Sequence, residues 1–102
     1  QQERYDFSCA LPTLRDWMKD EQVIIVDVRE PDEQPVVDGF THRKIPLGVL
    51  TEKVSELQGH TVVLFCKSGV RSERGAVALR ALGVDAYHVM VDVQELLSLK
   101  ND

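Results

Sequence analysis

The chain has 102 residues, 43% of them hydrophobic and 28% charged, with a formal net charge of -5. That length suits one domain with a modest core. The acidic balance argues against nucleic acid or an anionic membrane as a partner. No apolar run reaches the length of a membrane span, and no stretch reads as a signal peptide. The two cysteines, Cys9 and Cys66, are too few for a disulfide scaffold and fit a reducing, cytoplasmic setting.

In chain order, Gln1 to Ser8 is polar and aperiodic. Residues 1–10 are therefore expected to be an N-terminal linker or the edge of an excised domain, and residues 11–102 the domain itself. Leu11 to Lys19 suits a short helix, with Pro12 in its first turn and Leu11, Leu14, Trp17 and Met18 on one face. Val23 to Val28 is a continuous apolar run, the pattern of a central parallel strand. Asp27 and Arg29 follow at its carboxyl end. Asp27 reads as holding loop N–H groups or pairing with an arginine rather than as a pocket residue, since a second carboxylate would oppose a thiolate. Arg29 reads as part of a bracing ion pair rather than as a substrate ligand. Glu30 to Val37 starts as a helical turn and is broken by Pro35. Phe40 to Ile45 leads to a strand end at Ile45. The basic cluster His42, Arg43 and Lys44 reads as a solvated loop or as a landing place for an acidic carrier protein or an anionic donor.

Leu50 to Leu57 suits a helix ended by Gly59. Thr61 to Phe65 is a second apolar strand. Glu73 to Leu82 suits a helix with Gly75, Ala78, Leu79 and Leu82 at i, i+3, i+4, i+7 spacing, capped by Gly83. Ala86 to Val91 reads as the last strand and Val93 to Leu99 as a closing helix. No histidine, cysteine or carboxylate cluster has metal-ligand spacing, so neither metal nor organic cofactor is expected. Strands alternating with helices predict an α/β domain, a central parallel sheet flanked by helices.

The stretch from Thr61 to Ser72 organises the rest. Cys66 falls where a strand hands over to a helix, and ligands in open α/β sheets bind at the carboxyl ends of strands. Backbone N–H groups of a tight loop ahead of a helix converge into an anion-binding nest, and the helix dipole adds positive charge there. A thiol in that nest has a lowered pKa and ionises to its reactive form. Gly69 allows the φ > 0 such a loop needs. Arg71 offers a planar fork for an oxyanion, and Lys67 and Arg74 add charge. The candidates are Cys66 and Arg71 for catalysis and Lys67, Ser68, Gly69, Val70 and Ser72 for holding substrate. The plainer reading is a small buried hydrophobe followed by a turn. The Cys–Gly–Arg spacing favours chemistry.

These residues resemble a known family. Cys66-Lys67-Ser68-Gly69-Val70-Arg71-Ser72 is similar to the Cys-x-x-Gly-x-Arg loop of rhodanese-like sulfurtransferases. Val26-Asp27-Val28-Arg29-Glu30-Pro31-Asp32-Glu33 resembles their Asp-Val-Arg-Glu-Pro-x-Glu segment, and Ile45-Pro46-Leu47 their Ile-Pro-Leu segment. The three stand in the family's order, from roughly Leu11 to Leu97. Two segments depart from it: Val36 to Phe40 replaces the usual His-Ile-Pro-Gly-Ala, and Val91 to Leu96 the usual Gly-Gly-Ile-x-x-Trp. Both lie outside the cysteine loop.

The resemblance implies a rhodanese-like fold and a two-step sulfur transfer. A Cys66 thiolate takes the outer sulfur of a small sulfur-containing anion such as thiosulfate, or of a protein persulfide. A nucleophilic acceptor then removes it. Similarity to domains fused to adenylating enzymes of molybdopterin and thiamine sulfur-carrier pathways implies such a fusion, with a sulfur-carrier protein as acceptor. Two rivals stand beside this. Cysteine phosphatases use a Cys-x5-Arg loop, but four residues separate Cys66 from Arg71 here. A silent protein-binding module would have no need of Cys66, Gly69 and Arg71. Cys9 is read as an idle thiol, with the alternative that it resolves an oxidised Cys66.

Overall fold

The two apolar runs become the centre of one parallel sheet. The computed structural model describes residues 7–89 and 91–99. Its strands are β1 (Ser8–Cys9), β2 (Val23–Asp27), β3 (Arg43–Lys44), β4 (Thr61–Phe65) and β5 (Asp85–Val89), in the spatial order β1-β5-β4-β2-β3. Every pairing is parallel. In β2 and β4 the last four residues are all buried, as expected of strands covered on both faces. The register sets Asp27 opposite Phe65, so β2 and β4 end together.

Helices cover both faces. On one side, Leu47–Lys53 forms a 3-10 segment, followed by α2 (Val54–Leu57) and later α3 (Val70–Ala81). Leu50, Leu57, Ala76 and Leu79 pack there on Ile24, Val26, Val62 and Leu64. On the other side lie α1 (Leu11–Trp17) and α4 (Val93–Leu96). Leu14, Val93 and Leu96 meet Ile25, Val63 and Phe65 there, joined by Val37 and Phe40. The α/β architecture expected of the alternation is the one observed. Among the described residues no helix is long and apolar enough to cross a membrane.

Several boundaries differ from the expected ones. Ser8–Cys9 belongs to the sheet and not to a linker, because β1 pairs with His88 and Val89, and the His88 N–H donates to the Phe7 carbonyl at 2.8 Å. A two-residue strand leaves no periodicity to read. Residues 1–6 lie outside the described residues. Glu30 to Val37 forms no helical element. Pro31 and Pro35 lack backbone donors, and Pro31 disfavours helical φ/ψ at Glu30; a turn closed by the Glu33 N–H on the Glu30 carbonyl at 3.1 Å stands there.

The helix expected from Leu50 starts at Leu47 and runs as 3-10 to Lys53. Gly48, β-branched Val49 and Thr51 are poor helix formers. In α3 the buried face is Ser72, Gly75, Ala76 and Leu79, whereas Leu82 is exposed beyond the helix end. Gly75 is the close-approach point: a Cβ there would sit 2.8 Å from Leu64 Cδ1 and 2.9 Å from Leu50 Cδ2. The last strand ends at Val89, with Met90 outside the described residues, and α4 stops at Leu96. The Asp92 carboxylate caps α4 by accepting the Gln94 N–H at 2.9 Å.

Candidate active site

Cys66 is the first residue after β4, and α3 begins four residues later. Gly69, the N-cap, takes φ 103°, in the left-handed region where L side chains are strained. That turn swings the Gly69 N–H back onto Cys66 Sγ at 3.0 Å. Ser72, in the first turn of α3, is buried against the same sulfur, its Oγ 3.6 Å from Sγ. The Ser72 hydroxyl donates to the Gly69 carbonyl at 3.1 Å. The loop is also tied to the opposite face of the sheet, where the Val93 N–H donates to the Lys67 carbonyl at 2.8 Å.

Two opposed effects act on the thiol. Burial pushes it up. The Ser72 N–H and hydroxyl and the N–H groups of Gly69 and Ser68 pull it down, and together they prevail, so Cys66 lies below the ordinary 9.0. The sulfur sits at the floor of the loop, with Cys66 only 1% exposed. Cys9 contrasts with it. Its thiol donates to the Ala10 carbonyl at 3.6 Å, and burial without such donors raises it to about 11. Cys9 packs in the core cluster across the sheet from the one that holds Cys66.

The expected residues divide by position. Cys66, Gly69 and Ser72 are drawn together around the sulfur. Lys67, Ser68 and Val70 are exposed on the outer surface of the loop, as is Arg74. Arg71 is half-buried and already engaged. Its Nη1 and Nη2 donate to the two carboxylate oxygens of Glu33, the second contact at 3.0 Å. Glu33 is held in turn by the Glu30 N–H, which donates to Oε2 at 2.7 Å. The Arg71 guanidinium, with that N–H, lowers the Glu33 carboxyl to about 2. Sequence reasoning gave Glu33 no role. Its signal was the carboxylate three residues after Glu30 in a proline-bounded turn.

Asp27 and Arg29, each read as a bracing residue, pair with each other. Arg29 Nε and Nη2 reach both Asp27 oxygens at 3.0–3.2 Å, with both side chains buried. The basic cluster separates. His42 is half-buried with its ring near Phe40 and Phe65, whereas Arg43 reaches Glu56 at 3.7 Å in an exposed pair.

The model of the rhodanese-like domain family matches residues 11–95. The chain belongs to the rhodanese-like family. Among its relatives is the probable adenylyltransferase/sulfurtransferase MoeZ of Mycobacterium tuberculosis, 36% identical over 81 residues, a match that takes in 74% of this chain and 21% of that protein. An uncharacterised Synechocystis protein is 35% identical over 80 residues, covering 74% of this chain and 43% of that one. This rhodanese-like chain thus spans under half the length of either curated relative. A solved rhodanese-related protein from Thermoplasma volcanium superposes with a TM-score of 0.73 at 26% identity, over 91% of each chain. A human single-domain sulfurtransferase shares the fold at a TM-score of 0.75 and 20% identity, over 95% of this chain and all of that one. The rhodanese-like domain here therefore has sulfurtransferases among its relatives.

Proposed function

We propose that this domain is a sulfurtransferase that carries sulfane sulfur as a Cys66 persulfide. The carrying observation is the nest of Ser68, Gly69 and Ser72 donors around a buried thiol whose pKa they lower. In the first step the Cys66 thiolate attacks the outer sulfur of thiosulfate or of a protein persulfide. A new S–S bond forms on Sγ, the donor's S–S bond breaks, and sulfite or a thiolate leaves. In the second step a nucleophilic acceptor attacks the terminal sulfur and the Cys66 thiolate departs. The loop N–H groups hold negative charge on the persulfide as they hold it on the thiolate. Lys67, Ser68 and Val70 line the approach.

The depth of the sulfur favours this chemistry over phosphate ester hydrolysis. A thiolate at the floor of a four-residue loop meets a donor only through an atom that protrudes from it. Sulfane sulfur is terminal. The phosphorus of an ester lies inside four oxygens and needs a wider cradle. Relationship to an adenylyltransferase/sulfurtransferase supports a place beside an adenylating domain. With the adenylated C-terminus of a small sulfur-carrier protein as acceptor, the roles reverse. The terminal sulfur of the Cys66 persulfide attacks the carbonyl, and AMP leaves. A cellular thiol then attacks Cys66 Sγ of the acyl disulfide, releasing the thiocarboxylate and leaving a mixed disulfide that a second thiol reduces. This chemistry suits molybdopterin biosynthesis.

The test is intact mass after incubation with thiosulfate and, separately, with a persulfide donor. A gain of one sulfur atom that Cys66→Ala loses and Cys9→Ala keeps establishes the carrier. No gain from either donor reduces the domain to a binding module.

A further inference from the structure

Arg71 is the one expected oxyanion ligand whose charge is spent inside the protein. Glu33 takes one hydrogen from each of its terminal nitrogens in a fork-to-fork pair. Glu33 is itself fixed, because its Oε2 accepts the Glu30 N–H and its own N–H closes the same turn. The second arginine near the strand ends, Arg29, is buried and spends Nε and Nη2 on Asp27; its Nη1 is buried and without a hydrogen bond among the described residues. The remaining nearby cations, Lys67 in the loop and Arg74 in α3, are exposed, and water screens them. The turn that carries Glu33 adds exposed Glu30 and Asp32 on the acidic side.

We infer that Glu33 is a specificity-determining residue: by pairing with Arg71 it withholds that cation from dianionic donors, and the site takes its sulfur from an uncharged persulfide. This rests on the sulfurtransferase reading above. A donor approaching the Cys66 thiolate meets like charge at the sulfur and a neutralised ion pair at the rim. For thiosulfate the step is Cys66–S⁻ with S–SO3²⁻ giving Cys66–S–S⁻ and SO3²⁻, so three negative charges gather at the transition state. For a persulfide protonated on its outer sulfur, Cys66–S⁻ with RS–SH gives Cys66–S–SH and RS⁻, and only one negative charge is present throughout. The first step needs a free cation beside it. The second does not. At ordinary pH Glu33 stays ionised, held down by Arg71, so the preference persists across the working range.

The experiment compares loading of Cys66 by thiosulfate and by cysteine persulfide, followed by intact mass, in wild type, Glu33→Gln and Glu33→Asp. Removing one negative charge beside a dianion is expected to raise the thiosulfate-to-persulfide ratio of kcat/KM roughly tenfold in Glu33→Gln. The gain should fall on KM for thiosulfate, with a steeper loss of rate as salt rises. Glu33→Asp keeps the charge and should keep the wild-type ratio, which separates charge from any general loosening of the loop. An unchanged ratio in Glu33→Gln, while wild type loads normally, overturns the role of Glu33 and leaves the sulfurtransferase intact. Equal shifts in Glu33→Gln and Glu33→Asp overturn it too. Wild type that loads from neither donor overturns the sulfurtransferase reading, and this inference with it.

Discussion

The Gly69 N–H points at Cys66 Sγ from 3.0 Å, three residues further along the chain. That contact exists because Gly69 holds a φ of 103°, which reverses the backbone between the strand and α3. The same turn starts the helix whose first buried side chain, Ser72, meets the sulfur from the other side.

Gly69→Ala should therefore act on the thiol as well as on the fold. A side chain in the left-handed region costs about 1–2 kcal/mol. Relief of that strain moves the N–H off the sulfur. The Cys66 pKa then rises, because a donor to the thiolate is lost while burial remains. The pH dependence of iodoacetamide alkylation reads this directly: its midpoint should lie above that of wild type. Ser72→Ala should shift it in the same direction with less strain.

The two cysteines should differ sharply in reactivity. At pH 8, alkylation of the native protein should modify Cys66 and spare Cys9, whose thiol burial holds at about 11. In denaturant both should react alike. Peptide mapping after a short pulse of reagent decides it, and Cys9 labelled as fast as Cys66 in the native protein would contradict the contrast.

Asp27→Ala should destabilise the domain by about 3–5 kcal/mol, since it leaves the Arg29 guanidinium buried without its countercharge. Arg29→Lys should also be costly, because an ammonium cannot span both carboxylate oxygens as the fork does. Urea denaturation should show a lower midpoint at unchanged slope in each case.

The Glu33–Arg71 pair should leave a mark on acid stability. The Glu33 carboxyl lies at about 2 in the folded protein against an ordinary 4.5. A carboxyl lowered on folding contributes stability that is complete above 4.5 and is lost as pH falls towards 2, where the folded form takes up its proton. Glu33→Gln removes that dependence. Thermal midpoints measured from pH 5 down to pH 2.5 should converge between wild type and variant as the pH falls. A gap that stays constant over the range would show that the pair contributes nothing through its charge.

Two kinds of information are separable in this chain. The apolar runs at Val23 and Thr61 announced buried parallel strands, and the spacing of Cys66, Gly69 and Arg71 announced a loop at a strand-to-helix junction. These are local patterns, set by residues within a few positions of one another. β1 was missed because a two-residue strand exists only through its pairing with β5. The buried face of α3 was misread at Leu82 because the cover it would need lies beyond the helix end. The pairing of Glu33 with Arg71 was not legible for a similar reason: the two lie 38 positions apart in sequence.

Periodicity and near neighbours in the chain were enough to read the α/β alternation, the thiol at the end of its strand and bracing roles for Asp27 and Arg29, because each depends on hydrophobic pattern or on residues a few positions apart. The folded arrangement settled which donors reach the sulfur, which thiol lies without them and which cation is already paired. Those depend on distances between segments remote in the chain, and burial and charge act through space.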